Sequence, residues 1–463
     1  MEITIPEKLY ALAKLCPSPV YLVGGYVRNA LSGLKESADA DITSALSVAD
    51  FIKLANRAGF SVLTVYKTTG TAVFSDGERR YEYAGFRREK YGAGGCHTPV
   101  SVEPTADIKE DALRRDFKCN ALYYDVKNGV LVDPLGGAAD VKARVLDAAR
   151  DAEEVFARDG LRLMRLARFA AETGFAPTES TLAAAEKYSQ NLKDVSAERI
   201  YSELGKILSA DGKYPFSPVN GHYAGLKILD GTRVLDVIFP ELAQGRGMAQ
   251  RRDFHDHDVL EHSLRAALYA PQKIRLAALL HDVGKSYCMK TFGKYHGHAA
   301  VGAKIAKAAL LRLKADKKTV AETEFLVAEH MRDLECNESE GKIRAFLVAN
   351  RDYAEDLIAL KQADHTACKD DHGECPTALR WRALYDAMKT DGTPFSYKDL
   401  KINADALKRI GYSGREIGSE LAALFGVCVK SPEKNDGKLL ARLAEKDYAK
   451  IAKNRGGESA KND

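Results

Sequence analysis

"YLVGGYVRNALSGLKESADADITSAL", residues 21–46, joins a short apolar run to two glycines, a helix-like basic segment and two aspartates spaced by one residue. Val20–Val23 reads as a buried strand and residues 26–34 as a helix, with Gly24 and Gly25 forming the turn between them. A glycine turn at a helix N-terminus lets backbone N–H groups approach a phosphate closely, and Arg28 adds positive charge one turn in. The same turn also serves as a tight bend packed for shape. Asp39 and Asp41, two apart on a predicted strand, send both carboxylates to one side. Converging carboxylates repel unless a cation lies between them, and Mg²⁺ is suited to bridging carboxylates and phosphates. The alternative is a solvated acidic loop. Glu82, in "RRYEYAGFR", supplies a third acid on a later predicted strand.

Around this stretch, 463 residues exceed one compact core and suggest about two to four domains. A hydrophobic fraction of 45% with 29% charged residues is that of a folded, water-facing chain. The net charge of +4 permits a nucleic-acid partner without demanding one. The eight cysteines are scattered and form no CxxC pair, which argues against a disulfide framework or a cysteine-rich zinc site and for a reducing compartment. No apolar run approaches the ~20 residues of a membrane span, and the N-terminus lacks a signal-like pattern. A cytoplasmic location without membrane contact is expected.

Strand-like runs such as "SVLTV", "TAVF" and "ALYYDV" dominate up to about residue 145, and helical periodicity rules from about Val141 onward. The expected fold class is therefore an α+β head with a mixed sheet and helices, followed by all-α neck, body, histidine-rich and tail domains. The expected boundaries are 1–145, 146–205, 206–250, 251–375 and 376–463. Nine of the eleven histidines lie between His255 and His372, which marks the fourth region as a unit with its own chemistry.

In "EDALRRDFKCNALYYD", Arg114 and Arg115 bring charge suited to a triphosphate. Asp116 offers a carboxylate for ribose hydroxyls and Asn120 a further donor. A surface salt-bridge cluster is the other reading. Taken together, GG-x-V-R, DxD, RRDFxxNA and "DPLGGAADV" (133–141) resemble, in order and spacing, the class II tRNA nucleotidyltransferases (CCA-adding enzymes) and the related bacterial poly(A) polymerases. The resemblance implies that Asp39 and Asp41 hold two metal ions, that Arg115 and Asp116 contact the incoming nucleotide, and that the partners are tRNA, CTP and ATP. Asn29 departs from the aspartate usual after the arginine.

"FARDGLRLMRLARFAAETGF" reads as a helix from Ala157 to about Thr173. Asp159, Arg162, Arg165 and Arg168 recur every third residue in a slanting stripe. A basic solvated helix face is the plain alternative, although Leu161, Leu163, Met164, Leu166 and Phe169 crowd the same helix. The segment resembles the family's EDxxR motif, in which aspartate and arginine read the incoming base, and Asp159 and Arg162 match it. Cytosine and adenine both place an amine donor beside a ring-nitrogen acceptor, so one carboxylate and one guanidinium suit both bases. Arg158 stands where the family has glutamate. "SAERIYSEL" (196–204) resembles the motif that follows, with Ser196 as N-cap and Glu198 or Arg199 bracing the neck. The glycine-rich stretch 88–104 matches the position of the loop that helps the family switch from C to A addition.

Further on, His262, His281, Asp282, His298, His330 and Asp364 fall on predicted helices in an order that resembles the H…HD…H…H…D pattern of HD-family phosphohydrolases. Such ligands suit Mn, Ni, Fe, Zn or Mg, and Lys285 stands ready for a phosphate. The resemblance implies action on 2′,3′-cyclic or terminal phosphates. The tail resembles the part of the same enzymes that grips the tRNA elbow. The expected activity is template-independent addition of C, C and A to tRNA 3′ ends, with two Mg²⁺ ions in the head and a divalent ion in the HD region. The rivals are a poly(A) polymerase or a partial CC- or A-adding enzyme, a metal phosphohydrolase with a vestigial head, and a non-catalytic RNA-binding module.

Overall fold

A computed structural model describes residues 3–34, 39–66, 70–92, 95, 99–214 and 217–459, without the side chains of Asp39 and residues 454–459. The chain separates into two compact units, Met1–Met248 with Lys307–Val320, and Ala249–Ala306 with Ala321–Asp463.

The first unit opens with a mixed sheet. Its strands are β1 (Tyr21–Val23), β2 (Asp39–Ser44), β3 (Ser61–Tyr66), β4 (Thr71–Ser75) and β5 (Arg80–Gly85). After a separate hairpin, β6 (Arg87–Lys90) with β7 (Ser101–Pro104), the sheet is completed by β8 (Tyr123–Asp125) and β9 (Val130–Val132). The order β3-β4-β5-β2-β1-β8-β9 puts β2 in the middle, antiparallel to β1 and parallel to β5. Alternation along β2 buries Ala40 and Ile42 and turns Asp41 to the exposed face. The helix Val48–Arg57 closes the other face through Phe51, whose ring stacks on Tyr83 at 3.7 Å between centroids and meets Phe74 edge-on.

Helices follow, with one small exception to the all-helical expectation: β10 (Val145–Leu146) and β11 (Ala176–Pro177) pair in parallel at the junction. The single helix expected from Ala157 to Thr173 is two. One ends at Arg158, Asp159 is extended, and the next runs Leu161–Thr173. Packing forces the break. A Cβ on Gly160 would stand 2.4 Å from the Asn191 carbonyl oxygen, so the chain passes too close for a side chain there. Asp159 then accepts the Leu161 N–H at 2.9 Å, satisfying a donor left over at the new helix start. Behind the break, the helix Leu161–Thr173 is buried along Leu163, Met164, Leu166 and Phe169.

In the second unit, helices from Val259–Tyr269 to Pro376–Met388 share one core in which Trp381, Leu357, Leu360 and Leu347 are fully enclosed. Leu407, Leu424, Leu440 and Ala444 centre a separate cluster formed by the last three α-helices. No described helix is long and apolar enough to cross a membrane.

Candidate functional site

A cleft of about 700 Å³ opens in the first unit. Gly24, Gly25, Arg28, Asp41, Arg115, Asp116, Asn120, Asp159, Arg162, Arg165 and Arg168 all line it, so residues spread over 145 positions of sequence meet at one surface. The Asp39 side chain lies outside the described residues; its backbone stands on β2 opposite Arg80. Glu82 is exposed and sits directly beside Asp41 in the β2–β5 register.

Gly24 is the hinge of the arrangement. Its φ of +75° is a conformation that side chains disfavour, and a Cβ there would lie 3.0 Å from Asp41 Oδ2. The turn is thus shaped around the carboxylate. A Gly24→Ala variant is expected to lose roughly 1–3 kcal/mol to strain and to lower turnover by displacing Asp41; thermal melts and steady-state rates measure the two effects separately.

Arg28 is 1% exposed, yet it donates to the neutral amide oxygens of Asn29 and Asn120, at 2.6–3.1 Å. Asn29, in place of the family's aspartate, keeps the hydrogen bonds and gives up the counter-charge. Its own Nδ2 has no hydrogen-bond partner. A buried guanidinium held by amides leaves charge to be met by an anion.

Asp116 is engaged at every acceptor position. Oδ1 takes Asn120 Nδ2 and the Phe117 N–H, and Oδ2 takes Arg165 Nε and Nη2. Although burial raises its pKa, Arg165, Asn120 and Arg162 outweigh that and hold it well below the usual carboxylate range. Arg168 is ion-paired with Glu203 at 2.6 Å, without hydrogen-bond geometry at its Nε, and donates to Glu172 at 3.4 Å. Arg28, Arg165 and Arg168 surround the Phe169 ring with their guanidinium carbons 4.2–5.0 Å from its centre. Of the four residues in the stripe, Asp159 and Arg162 are placed differently. Arg162 Nη2 donates to the Arg114 carbonyl at 2.5 Å and Nη1 to that of Val155 at 3.4 Å, while its Nε stands 3.6 Å from Asp159 Oδ2. Two of its five N–H donors are spent on backbone and the rest face Asp159 and the cleft.

Several residues of this site carry no sequence signal of their own. Asp111 is fully buried and binds Arg114, Arg115 and Tyr123 together, at 2.7–3.2 Å. Its spacing of three and four residues before the arginines was the available clue. Glu89, on the hairpin, pairs with Arg87 and Arg114 and accepts from Tyr91, and nothing in its surroundings in sequence signals this. Glu203 also braces the neck, through ion pairs with Arg168 and Lys206. Glu198 pairs with Lys314, Arg199 lines the cleft, and Ser196 stands at the N-cap position without a side-chain capping bond. Arg158, where glutamate was usual, pairs with Glu154 one turn earlier.

The second unit gathers its six expected ligands. Asp282 lies 3.1–3.6 Å from Nε2 of His262, His281, His298 and His330, and Asp364 lies 3.0 and 3.3 Å from those of His262 and His281. His281, His298 and His330 direct Nδ1 to the carbonyls of Ala278, Tyr295 and Val327, which fixes the tautomer and leaves the Nε2 lone pairs pointing inward. His298 and His330 Nε2 stand 3.2 Å apart. Two lone pairs at that distance repel, so this donor set calls for a cation. Burial disfavours a charged His281, but Asp282 and Asp364 outweigh it and raise its pKa to about 10. Lys285 Nζ lies 2.6 Å from Asp282 and donates to Gln250.

An exposed Asp41 on the central strand β2, with Glu82 beside it on β5, next to a glycine turn and in a cleft lined by arginines from a helical neck, defines a nucleotidyltransferase class of site. Comparisons agree. The Poly A polymerase head domain family matches residues 20–147, the probable RNA and SrmB-binding site of polymerase A matches 174–245, and the HD domain matches 259–367. A CC-adding tRNA nucleotidyltransferase of Thermus thermophilus is 30% identical over 88% of this chain and 89% of its own length. A multifunctional CCA protein of Hahella chejuensis is 33% identical over 64% of this chain and 68% of its own. An A-adding tRNA nucleotidyltransferase of Deinococcus radiodurans is 31% identical over 76% and 77%. In fold, the chain is similar to the Bacillus stearothermophilus CCA-adding enzyme, with a TM-score of 0.67, 20% identity, and coverage of 97% and 100%. The chain belongs to the CCA-adding enzyme and poly(A) polymerase family, with that family's head, RNA-binding region and HD domain.

Proposed function

We propose that the chain completes tRNA by adding C, C and A to its 3′ end from CTP and ATP. The observation that carries this reading is the single cleft in which Arg28 and Arg115, Asp41, and the Asp159–Arg162 pair face one another. The terminal 3′-hydroxyl of tRNA attacks the α-phosphorus of the nucleotide in line, forming one P–O bond. The α–β bond breaks, and pyrophosphate leaves. Asp39, Asp41 and Glu82 would hold the two Mg²⁺ ions, a role supported for the last two by the register of Asp41 and Glu82 and by the fit of Asp41 against Gly24. When bound, the ions favour ionisation of the attacking hydroxyl and offset the charge growing on pyrophosphate. The helix start after Gly24, with Arg28 and Arg115, receives the triphosphate. Asp116 acts by positioning Arg165 and Asn120, since its acceptor sites are already filled.

Base choice falls to Asp159 and Arg162. The carboxylate accepts from the exocyclic amine of C or A, and the guanidinium donates to the neighbouring ring nitrogen. Uracil and guanine reverse that order and leave buried groups unpaired, at ~1–3 kcal/mol for each group. In Asp159→Ala and Arg162→Ala, discrimination of CTP over UTP is expected to fall by roughly 5- to 150-fold, read from kcat/KM for each nucleotide. The decisive experiment supplies tRNA lacking its 3′ end with each labelled nucleotide in turn. Products ending in CCA support the proposal; a stop after CC, addition of A only to a CC end, or a run of A each replaces it with the corresponding relative's activity.

A second activity is favoured by the converging histidines and aspartates of the second unit. They suit a divalent ion that hydrolyses 2′,3′-cyclic or terminal phosphates, which would restore a blocked 3′ hydroxyl. Asp282→Ala is expected to lose phosphodiesterase activity with nucleotide addition retained, and Asp41→Ala the reverse.

A further inference from the structure

His262 differs from the other three imidazoles of the HD centre at its second ring nitrogen. Where His281, His298 and His330 give Nδ1 to a carbonyl, the Nδ1 of His262 has no hydrogen-bond partner, and the residue is fully buried. Interiors seldom leave such an atom unmatched. The buried Nδ1 of His255 is also unmatched, and the His255 ring stands edge-on to His262 at 4.8 Å and 87°. Cys368, one turn beyond Asp364 on the helix Ala354–Lys369, brings sulfur to the same place. A ring nitrogen of His255, one of His262 and the Cys368 sulfur lie within 4.8 Å of one another.

We propose that His255, His262 and Cys368 form a second metal site, of zinc class, beside the HD centre. Two imidazoles and a thiolate make a borderline-soft set that selects zinc over magnesium or calcium. Three protein ligands leave one coordination position for water or a phosphate oxygen. With His262 Nε2 turned to Asp282 and Asp364, Nδ1 is the atom left for the new ion, and His262 bridges the two centres as imidazolate. Filling the new site beside an occupied HD centre therefore releases two protons to solvent, one from the His262 ring and one from the Cys368 thiol, while His255 binds as neutral imidazole. The site is independent of nucleotide addition and rests on the HD reading only through His262.

Cobalt titration of the full-length, metal-stripped protein tests this directly. A thiolate ligand produces a sulfur-to-cobalt charge-transfer band in the near ultraviolet, which the nitrogen and oxygen donors of the HD centre cannot. The expected result is a band that saturates at one equivalent in the wild type, persists in Cys375→Ser, and disappears in Cys368→Ser and His255→Asn, each of which binds one cobalt fewer by elemental analysis. Absence of the band from the wild type, which requires no variant to fold, overturns the proposal. So does its persistence in either Cys368→Ser or His255→Asn.

Discussion

Asp41→Ala is expected to lower nucleotide incorporation by more than about 100-fold, since even outer partners of metal ligands are worth 10–100-fold. In metal-free buffer its melting temperature should stay close to that of the wild type. Asp41 is exposed on the cleft side of β2 beside Glu82, so its loss empties no core volume. Added Mg²⁺ should raise the wild type above the variant, because an ion bound only by the folded wild type stabilises it by mass action. A melting temperature that rises with Mg²⁺ equally in both proteins, or an active Asp41→Ala enzyme, would remove Asp41 from the metal site.

Asp111→Asn should be the most destabilising single change in the head, at about 3–5 kcal/mol, the range for breaking one partner out of a buried ion pair. Arg114, Arg115 and Tyr123 all donate to this one buried carboxylate. An asparagine keeps one acceptor and turns an N–H₂ group toward a guanidinium. The pH dependence has a definite sign. Burial pushes the Asp111 pKa up, but Arg114, Arg115 and Tyr123 pull it down further, to about 2 in the folded protein, against ~3.9 unfolded. A depressed carboxylate pKa contributes stability above the unfolded value that disappears as pH falls through the folded one. The wild type should therefore lose roughly 2–3 kcal/mol between about pH 4 and pH 2, and Asp111→Asn should lack that part of its acid limb. Denaturant melts across this range measure both effects. Arg115 also lines the cleft, so the variant should bind nucleotide more weakly even where it is folded.

The two replacements separate what local pattern reveals from what packing decides. Asp41's place on the cleft side of β2 was legible because a two-residue spacing on a strand carries its own geometry; the Asp39 side chain lies outside the described residues. The six residues of the HD centre were legible through their order along the chain, which resembles the HD-family pattern. Glu89, Asp111 and Glu203 were not, because acids adjacent to arginines in sequence look alike whether they face water or lock a site. The helix break at Asp159 was also hidden. It depends on the close approach of the Asn191 backbone to Gly160, a contact between segments about 30 residues apart that no local periodicity encodes. His255 and Cys368 lie more than a hundred positions apart and become neighbours only because the segment before the helix Val259–Tyr269 packs against the end of the helix Ala354–Lys369, where the Asp256 N–H donates to the Cys368 carbonyl.

Sequence alone was sufficient for the mixed-sheet head, the helical remainder and the glycine turn, because hydrophobic period and residue type act over a few positions. Tertiary structure decided which acceptors the neck arginines take. Arg162 gives two N–H groups to the backbone carbonyls of Val155 and Arg114, Arg165 gives two to Asp116, and Arg168 is ion-paired with Glu203 and Glu172. That division follows from burial, since a guanidinium removed from water must take the nearest acceptor, and only the folded chain determines which acceptor is nearest.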